Sequence, residues 1–460
     1  MNDRPLRILQ VSTADKRGGA EHAAWNLFQV YRARGPASWL AVGEKRGDDP
    51  DVLVIGTNIK RDLWSRFCRS LQVRPRRKVE LQLGIEDFNF PATSGLLTLP
   101  PQRPDLIHCH NLHGDYFDLR ILPWLSHEVP VILNLHDTWL LSGHCAYSLE
   151  CDRWKTGCGQ CPDLNIYPAI KRDATAYNWR RKRDIFARSR LYVATPSQWL
   201  MRQVEQSMLA PGVVEARVIP NAIELSVFHP ADRQAVRAAL KIPQEAKVLL
   251  FSATVLRRNR FKDYATLRSA VAQVAERMYS QPILFIALGE NAPAEQIGQA
   301  EVRFVSYQTD SRAVARYCQA ADIYIHAARA EVWGLTITEA LACGTPVVAT
   351  AVGGIPEQVK GLDVSDSGLR NCDFDRYGMD EATGILVPLG DARRMALGIE
   401  RLLQDEPLRL RMGENAARDA VKRFGLQRQA DDFLRWYQEI LKCRVTPPST
   451  RARHAISNSV

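Results

Sequence analysis

The chain has 460 residues, 46% of them hydrophobic and 24% charged, with Lys+Arg 61 against Asp+Glu 51 for a net charge of +10 at pH 7. At about 100–200 residues per domain this length implies two or three domains, and the basic balance favours anionic partners (nucleotides, phosphates, nucleic acid or acidic lipid) without choosing among them. No apolar run reaches the roughly eighteen residues of a membrane-spanning helix, and MNDRPLRILQVST enters a strand pattern with no signal-peptide apolar region, so the expectation is a soluble, cytoplasmic protein whose ten cysteines are thiols or metal ligands rather than disulfides.

Short apolar, β-rich runs begin at Leu6, Ala37, Asp51, Asp105, Pro130 and Leu191, and a second set begins at Lys247, Pro282, Val302, Asp322, Pro346 and Gly384. Their continuous apolarity, with helical patterns between them, predicts parallel sheets covered on both faces, hence an α/β chain of two doubly wound Rossmann-like domains. The boundaries predicted are an N-terminal domain over 1–218, with a Cys-rich loop at 144–163, and a second domain over 219–425. A helix at 426–442 follows, then a disordered tail at 443–460. The join falls in VIPNAIELSVFHPADR, where Pro220, Asn221 and Pro230 interrupt both periodicities. In the helix at 426–442, the spacing of Phe433, Trp436, Tyr437 and Ile440 suits docking.

The first run ends in STADKRGGAEH. Gly18 and Gly19 permit a tight turn into a helix near Ala20 whose amides would face whatever sits above the sheet. The basic, aromatic stretch RDLWSRFCRSLQVRPRRK from Arg61 suggests contact with an anionic membrane, or a solvated basic surface. HCHNLHG (His108, His110, His113) and LNLHDTW (His136, Asp137) end predicted strands, where open α/β sheets bind ligands; three close histidines also fit a metal site, and His108 reads best as a hydrogen-bonded structural residue. Cys145, Cys151, Cys158 and Cys161 crowd one loop that ends in Cys-Gly-Gln-Cys. They read as a four-thiolate structural zinc site, as reduced free thiols or as redox-active cysteines.

In the second half SATVLRRNRFKDY offers Arg257, Arg258, Arg260 and Lys262 where a strand ends, cations suited to a diphosphate. EVWGLTITEALACGTPVV then places Glu331 before a turn at Gly334, a helix start near Leu335 or Thr336, and Glu339 one turn in. Free amides there would face an anion, and the two carboxylates could accept paired sugar hydroxyls.

Glu331-x7-Glu339 followed by ALACGTPVVAT and GGIPE, with VIPNAIELSVFHP upstream, resembles the donor-binding half of a retaining glycosyltransferase of family 4 with the GT-B fold. RGGAE, HCHNLHG, the Cys-rich segment, NWRRKRDIF and TPSQWL resemble the branch that builds bacterial exopolysaccharide and capsule, colanic-acid-type enzymes included. The resemblance spans roughly residues 5 to 442. It implies transfer of a hexose from a UDP- or GDP-sugar, with retention, to a glycan or lipid-linked acceptor. It implies a cleft between the domains, a last helix crossing back to the first domain and no catalytic metal; on the sequence's own reading the enzyme is cytoplasmic, and the stretch from Arg61, read as a membrane contact, would place it peripherally on the inner membrane.

By the same resemblance Glu331 contacts the transferred sugar, Glu339 the ribose, and the amides of Gly334, Leu335 and Thr336 the diphosphate or sugar. Lys262 binds phosphate, one of Arg257, Arg258 and Arg260 assists it, and Gly18 and Gly19 face the diphosphate. His136 lies beside the donor sugar, and His110, Asn111 and His113 line the acceptor side. Lys262-Asp263 departs from the family's lysine-glycine pair. A dinucleotide-binding enzyme lacks its G-x-G-x-x-G here; a zinc-containing nucleic-acid-binding protein leaves the paired domains unexplained, and an epimerase-like GT-B enzyme or a phosphorylase would need residues not found.

Overall fold

The computed structural model describes residues 4–16, 18–56, 77–278, 280–363 and 375–445; the stretch from Arg61, apart from Arg77 and Lys78, and the tail beyond Val445 lie outside the described residues. Seven strands, β1 (Arg7–Ala14), β2 (Ala37–Glu44), β3 (Val52–Val54), β4 (Leu106–Cys109), β5 (Val131–Asn134), β6 (Leu191–Thr195) and β7 (Val213–Val218), form one sheet in the order β3-β2-β1-β4-β5-β6-β7. All its pairings are parallel.

A second sheet comprises β8 (Lys247–Ser252), β9 (Ile283–Leu288), β10 (Glu295–Ile297), β11 (Ala300–Val305), β12 (Ile323–His326), β13 (Val347–Thr350), β14 (Gly361–Leu362), β15 (Arg376–Tyr377) and β16 (Gly384–Val387). Its order is β10-β11-β9-β8-β12-β13-β16-β14-β15, and only the β10–β11 pairing is antiparallel. VILN in β5 and ILFIAL in β9 are buried at every position, as the continuous apolar runs require. The strands the sequence did not announce are β7, an edge strand whose VVEARV alternates half-buried with exposed residues, and the two- and three-residue β10, β14 and β15. Such strands are too polar or too short to carry a periodic signal.

Strand order reverses between β1 and β4 in the first sheet and between β8 and β12 in the second. Ligands of open α/β sheets bind at these reversals, outside the carboxyl ends of the strands, because the loops there diverge and leave a crevice. Both clusters of polar residues follow from this topology. The Gly18–Gly19 turn and His110 leave β1 and β4, while Lys262 and Glu331 follow β8 and β12.

The helices that position the site are α1 (Gly19–Ala33), α2 (Thr175–Phe186), α3 (Gln198–Glu205), α4 (Tyr264–Arg277), α5 (Leu335–Ala342) and α6 (Leu426–Val445). In α6, which runs three residues past Lys442, Phe433, Trp436, Tyr437 and Ile440 are buried in one cluster with Ile8, Leu27, Val30, Tyr31, Leu106 and Ile132. Helix α6 therefore packs on the first sheet. Burying each such side chain stabilises the contact by about 1.5–3 kcal/mol. Trp436 Nε1 also donates to Glu215 Oε1 at 2.9 Å. A second tie runs the other way: both oxygens of Glu357 accept, at 2.7 Å each, the backbone N–H groups of Gln198 and Trp199 in the first turn of α3.

Candidate functional site

On the second sheet's edge Lys262 pairs with the Glu331 carboxylate, and the buried His326 places Nε2 3.6 Å from Glu331 Oε2. Burial alone would raise the Glu331 carboxyl, but the Lys262 ammonium and His326 overcome it and hold Glu331 at about 2. The Lys262 loop is fastened to the Glu331 side by Arg329 N–H, which donates to the Phe261 carbonyl at 2.8 Å. Asp263 explains the departure from a lysine-glycine pair. Its backbone is left-handed (φ 39°), a conformation Asp tolerates, and its carboxylate caps α4 by accepting from Thr266 N at 3.3 Å.

Gly334 is the N-cap of α5, as the sequence predicts, but its N–H is already taken by Gln358 Oε1 at 2.9 Å. Gln358 Nε2 in turn donates to the Gly334 carbonyl at 2.9 Å and to Thr338 Oγ1 at 2.8 Å. Leu335 and Thr336, the first two residues of α5, are left as the amides able to meet an anion, because Ile337 and Thr338 N–H both donate to the Gly334 carbonyl. Glu339, one turn further, makes no side-chain hydrogen bond among the described residues. Burial pushes its carboxyl up to about 7.

The three arginines separate by their partners. Arg257 Nε donates to Glu290 Oε1 at 2.6 Å and its N–H to Glu290 Oε2 at 2.9 Å. Arg260 reaches across the cleft to Asp163 Oδ2 at 2.7 Å. Arg258 is exposed and makes no side-chain hydrogen bond or ion pair among the described residues.

Across the cleft Gly18 is the N-cap of α1, with its N–H donating to Glu21 Oε2 at 3.1 Å, and the helix starts at Gly19, one residue before the predicted start. A Cβ at Gly19 would lie 3.6 Å from Leu335 Cδ1, so this turn directly faces the start of α5.

His136 is half-buried at the rim. His110, expected on the acceptor side, is buried instead, with Nδ1 3.0 Å from His136 Nε2 and Nε2 3.0 Å from the Gln10 amide. His113 Nε2 donates to Asp137 Oδ2 at 2.7 Å; burial opposes the charged imidazole, but Asp137 raises its pKa above the ordinary value. The carbonyl of Asn111 accepts the Tyr116 hydroxyl at 2.5 Å. His108 is buried with Nδ1 2.6 Å from the Tyr437 hydroxyl, which makes it a structural contact of α6.

Cys145, Cys151, Cys158 and Cys161 line one small cavity with His144, whose Nε2 lies 3.4 Å from Cys161 Sγ. Among the described residues, no group of three His, Cys, Asp or Glu side chains converges closely enough to hold a metal ion. The eight described cysteines are all unpaired. The loop that carries the four also bridges the cleft. Tyr147 follows Ala146, whose carbonyl accepts from Thr138 N–H at 2.9 Å, and its ring lies 5.0 Å from that of Phe261, tilted by 50°, beside Lys262. Lys182, fully buried in α2, braces this side by donating to the Trp139 and Ser142 carbonyls and pairing with Glu86 at 2.9 Å.

Sequence reasoning missed Gln10, His326, Gln358, Glu357 and Tyr147. Only His326, at a strand end, and Glu357, at the end of GGIPE, carried a local signal.

Residues 17–227 match the family described as Glycosyltransferase Family 4 and residues 232–419 that described as Glycosyl transferases group 1. The chain belongs to the group 1, family 4 glycosyltransferases. The glycosyltransferase is 27% identical over 369 residues to the colanic acid biosynthesis glycosyl transferase WcaC of Escherichia coli K12, covering 75% of this chain and 83% of that protein. It is 28% identical over 467 residues to D-inositol 3-phosphate glycosyltransferase 1 of Catenulispora acidiphila, covering 95% and 97%. Among solved structures, HepE of Anabaena in complex with UDP-glucose superposes with a TM-score of 0.61 at 17% identity, over 95% of this chain and 99% of that one. Sucrose-phosphate synthase of Thermosynechococcus elongatus superposes with a TM-score of 0.60 at 19% identity, over 95% and 100%. The glycosyltransferase therefore has the GT-B fold, two Rossmann-like domains facing a cleft. Among the described residues no helix is long and apolar enough to cross a membrane.

Proposed function

We propose that this glycosyltransferase moves a hexose from a UDP- or GDP-sugar, with retention at the anomeric carbon, to a glycan or lipid-linked acceptor in exopolysaccharide, capsule or O-antigen assembly. The observation that carries the reading is the grouping at one sheet edge of the Lys262–Glu331 pair, the first amides of α5 and the unpartnered Glu339, all opposite the Gly18–Gly19 turn. The names of WcaC and the inositol-phosphate enzyme, and the UDP-glucose bound by HepE, support the substrate classes.

In this reading the bond from the anomeric carbon to the phosphate oxygen breaks and its electrons leave with the nucleoside diphosphate. The acceptor hydroxyl oxygen bonds to the same face of that carbon, and its proton passes to the leaving phosphate oxygen. Lys262, Arg258 and the Leu335 and Thr336 amides neutralise the charge that builds on the leaving group. Fixed donors of this kind stabilise a transition state without reorganising. Glu331 accepts sugar hydroxyls, Glu339 accepts the ribose hydroxyls, and His136 lies beside the donor sugar.

Thermal stabilisation by UDP, GDP, ADP, dTDP and NAD tests this, because a ligand that binds only the folded state raises Tm. One nucleoside diphosphate should raise Tm, and the shift should vanish in Glu339→Ala. Stabilisation by NAD alone, or by none of the five in a folded sample, would sink the donor site.

Two further parts of the reading have separate tests. Structural zinc on Cys145, Cys151, Cys158 and Cys161 rests on their residue types and shared cavity, and on Gly143 N–H, which donates to Cys158 Sγ at 3.3 Å; since no three of these side chains converge closely enough to ligate, the loop would have to draw them together around the ion. Metal analysis of chelator-free protein should find about one zinc per chain, and much less ends the idea. Transfer itself should survive EDTA so long as the fold does. Contact with an acidic inner-membrane surface rests on the stretch from Arg61 and requires binding to acidic liposomes at moderate salt.

A further inference from the structure

Gln10 projects from β1 onto α1, where it meets a donor and an acceptor of fixed polarity. Phe28 N–H and the Ala24 carbonyl are an i, i+4 pair of the helix backbone. The amide satisfies both only when Oε1 accepts from Phe28 N at 2.9 Å and Nε2 donates to Ala24 O at 3.2 Å. The second hydrogen on the same Nε2 then points at His110 Nε2, 3.0 Å away, which must accept it.

A neutral imidazole carries one hydrogen, so that of His110 sits on Nδ1. Its neighbour at 3.0 Å is His136 Nε2, which becomes an acceptor in turn. The two rings lie nearly parallel, 14° apart with centroids at 5.3 Å. His136 must therefore carry its own hydrogen on Nδ1. That Nδ1 makes no hydrogen bond to a protein group among the described residues, and the oxygens of the adjacent Asp137 accept instead from His113 and, at 2.9 Å, from Trp139 N–H. Both histidines are neutral, since burial drives His136 down to about 4 and His110 well below the ordinary value.

We propose that Gln10 and His110 are positioning residues that lock His136 as the Nδ1–H tautomer, making it a hydrogen-bond donor to a hydroxyl oxygen of the transferred sugar. With Nε2 engaged by His110, His136 has no free lone pair to take the acceptor's proton, which leaves that proton to the departing phosphate oxygen. The role given to the Nδ1–H rests on the donor-side reading of His136; the tautomer chain does not.

Long-range proton–nitrogen NMR on the full chain labelled with ¹⁵N-histidine reads the tautomers directly at neutral pH. The wild type should show protonated Nδ1 and bare Nε2 on both His110 and His136, opposite to the Nε2–H form that predominates in free histidine. Nε2–H on His136 in the wild type would overturn the proposal, and this measurement needs no variant to fold.

Gln10→Glu replaces the amide donor with an acceptor. It should invert both patterns, placing hydrogen on Nε2 of each ring, and an unchanged His136 pattern in a folded Gln10→Glu would likewise overturn the chain. With whichever nucleotide sugar proves active, Gln10→Glu should lower kcat by about three- to tenfold, the size of one hydrogen bond, with little change in the donor KM. Inverted tautomers with unchanged kcat, together with a silent His136→Ala, would leave the chain standing and remove the role assigned to His136.

Discussion

Lys262 and Glu331 form an ion pair although they lie 69 residues apart, one on the loop after β8 and the other just beyond β12. The lysine is thus the counter-ion of one proposed sugar ligand and the proposed cation for the leaving phosphate. A bound diphosphate must share it.

Removing that lysine should be costly in two measurements. Lys262→Met leaves a buried carboxylate without its partner, which costs about 3–5 kcal/mol in denaturant unfolding, and it should slow transfer by about 100-fold or more. The double variant Lys262→Met, Glu331→Gln should regain most of the stability and none of the rate. Glu331 is held below its ordinary 4.5, so the pair stabilises the fold fully above that value and progressively less as pH falls from 4.5 toward about 2. The deficit of Lys262→Met should shrink over that window, and a deficit independent of pH would refute the coupling.

Glu339 has the opposite sign. Its carboxyl is raised from 4.5 to about 7, so the folded state holds the proton more tightly than the unfolded chain, and stability falls as pH rises from 4.5 to about 7. Glu339→Gln should match the wild-type Tm near pH 4 and exceed it near pH 8 by about 2–4 °C for each kcal/mol removed. Nucleoside diphosphate affinity, followed by calorimetry, should strengthen in the wild type as pH rises through about 7, because the ionised carboxylate accepts the ribose hydroxyls. A flat profile would remove Glu339 from the ribose.

Among the arginines, Arg258→Ala should weaken nucleoside diphosphate binding by about tenfold or more, the loss expected for a hydrogen bond to a charged group. Arg257→Ala should leave affinity within about twofold, since its guanidinium serves Glu290. Equal losses in both would mean that the loop rearranges on binding.

Glu357 caps a helix of the other domain. Glu357→Ala should destabilise the protein by about 1–2 kcal/mol, as loss of an N-cap does, and should shift solution scattering toward a more open particle. Glu357→Gln, which still offers an acceptor, should be milder. No change in either readout would show that the contact does not hold the domains.

Much of the architecture was legible because it is written locally. Runs such as VILN and ILFIAL are apolar throughout since both faces are covered, and a turn at Gly334 before α5 needs only neighbours in sequence. Glu331, Glu339 and Lys262 were legible as candidates for a related reason: charged residues near the carboxyl ends of strands lie where open α/β sheets bind ligands. β7 was not, since an edge strand in contact with solvent alternates in polarity as exposed loops also do.

The amino-acid order by itself determined the two Rossmann-like domains, the strand ends that carry polar side chains and the residue types gathered there. Tertiary structure alone decided which of those residues meet. Gln10 and His110 are 100 positions apart, and Glu357 and Gln198 are 159 apart. Hydrogen bonds act over about 3 Å, so partners so distant in the chain are chosen by how the sheets and helices pack, and that packing also gave Arg257 and Arg260 carboxylate partners that Arg258 lacks and buried His110 between Gln10 and His136.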